Sequence, residues 1–90
     1  MNRYGAQAME HWRRTQPDRL RELEDAEAFF TRLGEDVSQA IEELARTLAG
    51  PAPTDEGYLQ RLQRLQTARS TAESHVLREM VLLETPGAPE

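Results

Sequence analysis

Apolar positions return along the chain with the spacing of helices, and each stretch presents one face. Tyr4, Ala8, His11, Trp12 and Thr15 fall at i, i+4, i+7, i+8 and i+11, which predicts a first helix over residues 3–15. Pro17 interrupts it, since proline cannot donate the backbone bond a helix interior needs but suits the first position of a new turn. A short second helix over 17–23 follows, with Leu20 and Leu23 inward. Phe30, Leu33, Val37, Ile41, Leu44 and Leu48 then make a continuous stripe opposite Arg32, Glu35, Glu42, Glu43 and Arg46. This predicts a helix over 26–49 with one face buried. Asp25 is its expected N-cap, Glu22, Glu24 and Glu27 complement the positive end of its dipole, and Gly50-Pro51 closes it. Gly34 sits at the edge of the stripe, either admitting a close neighbour or tolerated as a weak point.

A last helix is expected over 55–83, capped by Thr54 with Asp55 and Glu56 in its first turn. Its main face holds Tyr58, Leu62, Leu65, Ala72, Val76, Met80 and Leu83, with Arg69 projecting from the middle; Leu59, Leu77 and Val81 form a second stripe. Beyond Val76 the sequence is apolar nearly all round, and such a helix is buried on every side. The stiff loop Gly50-Pro51-Ala52-Pro53 between two long helices reads as the turn of an antiparallel hairpin. The expected fold is therefore all-α: a long antiparallel helical hairpin with a short N-terminal helix packed on it through Tyr4, Ala8 and Trp12, a small helical bundle. Residues 1–84 are expected to form one domain and 85–90 a disordered tail.

Composition narrows the setting. Ninety residues bury a modest core, so association is an expected source of further stability. Cysteine is absent, which removes disulfides and thiolate metal sites. No stretch approaches a membrane span, and the polar N-terminus lacks the apolar run of a signal peptide; the chain is expected to be cytoplasmic. All eleven basic residues are arginine, a bias typical of a GC-rich bacterial or phage coding sequence. The net charge of −5 is uneven: residues 1–21 carry +3 and residues 22–49 carry −6.

Chemistry is sparse. The only histidines, His11 and His75, have no metal-ligand spacing around them. Ser38, Ser70 and Ser74 lie in helical stretches without an elbow or oxyanion loop, and Glu42-Glu43 lie on a solvated face. No catalytic residue, metal ligand or cofactor is expected. Gln60, Arg61, Gln63, Arg64, Gln66 and Arg69 could read base edges, with Arg13 and Arg14 as a second patch. That supports a DNA-associated regulator as the alternative, against which stands the acidic helix alongside.

The expected function is protein association, as an adaptor, regulator or accessory subunit, with self-association included. Its expected surface is Leu77, Met80, Val81 and Leu82, with Trp12 as an anchor and Arg69 in the seam. Arg69 either pairs with a carboxylate, Glu73 being nearest, and so fixes register, or carries its charge to water. The hairpin outline resembles the small helical substrates of type VII secretion. Their Trp-x-Gly turn has no counterpart in Ala49-Gly50-Pro51-Ala52-Pro53, and no family is assigned from it.

Overall fold

A computed structural model describes residues 1–82. Leu83 and the tail expected over 85–90 lie outside the described residues. The chain is all-α, and among the described residues there is no strand. Helix α1 spans Arg3–Thr15, α2 Pro17–Glu22, α3 Ala26–Ala49 and α4 Tyr58–Leu77, and α4 runs directly into a π-helical turn, Arg78–Leu82. Helices α3 and α4 form the hairpin, and α1 lies against α3.

The capping chemistry is local. The Asp25 carboxylate accepts from the Ala28 N–H at 3.0 Å and opens α3. Gly50 closes it at φ 63°, a conformation glycine adopts without strain, with its N–H donating to the Arg46 carbonyl at 3.1 Å. Helix α4 starts at Tyr58, later than Asp55. Pro51 and Pro53 cannot donate backbone bonds, and Glu56 is held back over the loop by Arg64. Its cap is Gly57, whose N–H donates to Gln60 Oε1 at 3.1 Å, in place of the expected Thr54.

Asn2 attaches α1 to α3. Its Oδ1 accepts from the Gly5 N–H at 2.9 Å and its Nδ2 donates to the Gly34 carbonyl at 3.0 Å. Gly5 and Gly34 meet there: a Cβ on Gly34 would fall 2.7 Å from the Gly5 nitrogen, and one on Gly5 would fall 2.7 Å from the Met1 side chain and overlap the Phe30 carbonyl. Gly34 is thus a close-approach position. Asn2 meets Gly34 while Trp12 meets Phe29 and Phe30, so α1 runs antiparallel to α3 and parallel to α4.

The core joins Tyr4, Ala8 and Trp12 of α1 to Phe30, Val37 and Ile41 of α3, Ala72 and Val76 of α4, and Val81 of the π turn. The inward positions Ala68, Ala72 and Val76 keep a four-residue step; the next, Val81, comes after five. That is the spacing of a π turn, and it carries Val81 into the core.

Candidate protein-binding surface

Helix α1 has 13 residues and α3 has 24. At 1.5 Å per residue these are roughly 20 Å and 36 Å. One short helix therefore covers only one half of the hairpin, the half holding Gly34, Phe30, Ala72 and Val76. Among the described residues, the other half, toward the turn, is two helices with no third. Tyr58 is 75% exposed there and Leu59 74%, and Leu48, Leu62 and Leu65 are each about two-fifths to one-half exposed. These side chains do not share one groove: Leu48 lines one with Arg64 and Ala68, and Leu65 lines another with Ala45 and Arg69.

Along the line of α1, past its N-terminus, the α3–α4 groove continues as an open trough of about 520 Å³. Its floor is Ala45, Ala49 and Leu65, and its rim is Glu42, Arg46 and Arg69. Arg69 and Leu65 stand on the same row of α4 as Glu73, at i, i+4 and i+8. Glu73 fixes the start of α1: its Oε2 accepts from Tyr4 Oη at 2.7 Å and from Arg3 Nη2 at 2.6 Å. The Tyr4 hydroxyl, then Arg3 and more weakly Arg69, hold the Glu73 carboxyl below the usual carboxylate range, against a partial desolvation that acts upward.

The surface expected from the sequence is placed differently. Val81 is 1% exposed and belongs to the core, because the π turn rotates it inward. Leu77 and Met80 are half-buried against the same core, and only Leu82, 49% exposed, faces outward. Trp12 is also enclosed. Its ring lies 5.4 Å from Phe29 and 5.3 Å from Phe30, with the Arg19 guanidinium 4.9 Å from its centroid. Trp12 and Val81 thus serve the interior and are not available as contact surface. Arg69 is exposed, so its charge reaches water, and the Glu73 carboxylate is taken by Arg3 and Tyr4.

The arginines of the nucleic-acid alternative are also divided. Arg64 is a clasp: Nε and Nη2 donate to Glu56 at 2.6 and 3.1 Å, and Nη1 donates to the Ala49 carbonyl at 2.6 Å. It secures the end of α3 and lowers the Glu56 carboxyl, chiefly through that hydrogen bond. Arg13 pairs with Glu10. Arg14 and Arg61 are exposed. His75 meets Glu79 at 3.3 Å on an open face, and no cluster of metal-ligating side chains exists among the described residues. No helix among them is long and apolar enough to cross a membrane.

No family model, curated protein or solved structure matches the chain.

Leu48, Leu62 and Leu65 lie in stripes that read as core from the sequence and Leu59 in the narrower second stripe, so their exposure was not expected. The available signal was the disparity in helix length, since a 13-residue helix cannot cover a 24-residue one.

Proposed function

We propose that this is a non-catalytic, cytoplasmic protein that works by helix-mediated association with another protein chain, as an adaptor, regulator or accessory subunit. The observation that carries this reading is the uncovered hairpin half, where Tyr58, Leu59, Leu62, Leu65 and Leu48 stand exposed while Phe30, Val37, Ile41, Ala72 and Val76 further along are buried. Exposed leucines and a tyrosine on one rigid pair of helices are what a partner helix or a second hairpin covers.

The DNA-associated alternative loses one of its four arginines to the Arg64 clasp and has a second paired with Glu10. Arg14 and Arg61 remain, and Arg61 stands on α4, which packs against the acidic α3.

Native extracts of the producing cells, fractionated by size, test the association reading. The chain should migrate in an assembly larger than the purified monomer. Leu62→Asp with Leu65→Asp should return it to monomer size with its helical circular dichroism unchanged. A wild-type chain that migrates as a monomer in the extract, or a double variant that stays in the assembly, would overturn the reading.

A further inference from the structure

We infer that the trough between Arg46 and Arg69 receives an amphipathic helix with an acidic flank, contributed by a partner protein and laid end to end with α1. The inference rests on the association reading above and names the occupant of that surface.

Continuity gives the shape. The groove that seats α1 beside Gly34 and Glu73 does not end at Asn2; it runs on over Ala45, Ala49 and Leu65. Along α3 the lining runs from Glu42 to Gly50, roughly 12 Å and about two helical turns. The small side chains Ala45 and Ala49 let a helix settle close to α3, and Leu65 adds an apolar side chain from α4.

Charge gives the chemistry. Arg46 from α3 and Arg69 from α4 rim the trough from its two walls, and Arg61 continues the row of Leu65 and Arg69 toward the turn. Among the described residues none of the three has a carboxylate within ion-pair distance, whereas Arg3, Arg13, Arg21 and Arg64 each do. Glu42 is the single carboxylate on that rim. A helix lying between Arg46 and Arg69 meets a guanidinium on each side, so glutamates flanking its apolar stripe complement the walls. A second copy seated trough on trough is the poorer occupant, since that packing sets Arg46 and Arg69 of the two copies together.

The test uses two end-blocked, fluorescently labelled peptides of about five helical turns, one built from Leu, Ala and Glu and the other with every Glu replaced by Lys. Binding to the full chain is followed by anisotropy, and light scattering gives the mass of the chain. The acidic peptide should bind the monomeric chain at least about tenfold more tightly than the basic one. Arg46→Gln with Arg69→Gln should erase that preference, and Arg32→Gln, outside the trough, should keep it. Equal affinity for the two peptides, or no binding of either, would overturn the inference. A chain found as a dimer that Leu65→Asp dissociates would also overturn it by assigning the trough to a second copy, while leaving the association reading intact.

Discussion

Gly5 and Gly34 meet backbone to backbone where α1 crosses α3, so closely that a Cβ on Gly34 would lie 2.7 Å from the Gly5 nitrogen. The contact sets the height of α1 above the hairpin, and Asn2 locks it by bonding both glycines. Gly34→Ala has a gain to set against a loss. Alanine favours a helix interior over glycine by about 0.5–1 kcal/mol. Lifting α1 off its seat opposes this with about 1–3 kcal/mol of overpacking and lost contact. The net outcome expected is destabilisation, read by urea unfolding on the fluorescence of Trp12, the only tryptophan. Gly57→Ala, with only Gln60 Oε1 near a new Cβ at 3.9 Å, should cost much less.

Tyr4 and Glu73 make the electrostatic half of the same docking. Tyr4→Phe removes one hydrogen bond to a carboxylate and should cost about 1–2 kcal/mol at neutral pH. Glu73 is depressed in the folded chain, so its contribution is fully present above its ordinary value of 4.5 and is lost as pH falls from there through the lower folded value. Stability measured between pH 7 and 3 should therefore decline below about pH 4.5. The decline should be shallower in Tyr4→Phe and should lose the Glu73 contribution in Glu73→Gln. An identical acid limb in all three chains would remove Glu73 from the account.

Arg64 and Arg61 are three residues apart and do different work. Arg64→Ala breaks the bonds to Glu56 and to the Ala49 carbonyl, and the melting temperature should fall. Arg61→Ala should leave it unchanged. Differential scanning fluorimetry of the two variants decides this. Equal effects would mean that the clasp does not hold the turn.

Val81 and Leu82 separate core from surface in the π turn. Val81→Asp places an unpaired carboxylate in the interior and should cost about 3 kcal/mol or more. Leu82→Asp, at an exposed position, should fall within about 0.5 kcal/mol of wild type. Chemical denaturation of both variants is the check.

The helices and the hairpin were legible because their signals are local. Asp25, Pro17 and Gly50 mark boundaries by capping and backbone chemistry, and the stripe from Phe30 to Ile41 marks the buried face of α3. The proposed surface was not legible for two reasons. Leu62 and Leu65 carry the same periodic signal as Phe30 or Val37; whether such a stripe is covered depends on how far α1 reaches, a tertiary fact. Val81 lies off the four-residue register of α4, and only the π turn, which no residue in Arg78–Leu82 announces, brings it inside. Arg64 looked like one more arginine in an Arg/Gln-rich stretch, and its role came from the position of the Ala49 carbonyl across the turn.

The uncovered half of the hairpin, and not the turn Arg78–Leu82, is proposed to carry the protein's contacts. Site-specific photo-crosslinking in the producing cells tests it most directly, with a benzophenone side chain placed at Leu62 in one chain and at Leu82 in another. Both positions are exposed, so both probes are equally free to react. The account predicts a discrete protein adduct from position 62 and none from position 82. An adduct from position 82 with none from position 62 would contradict it.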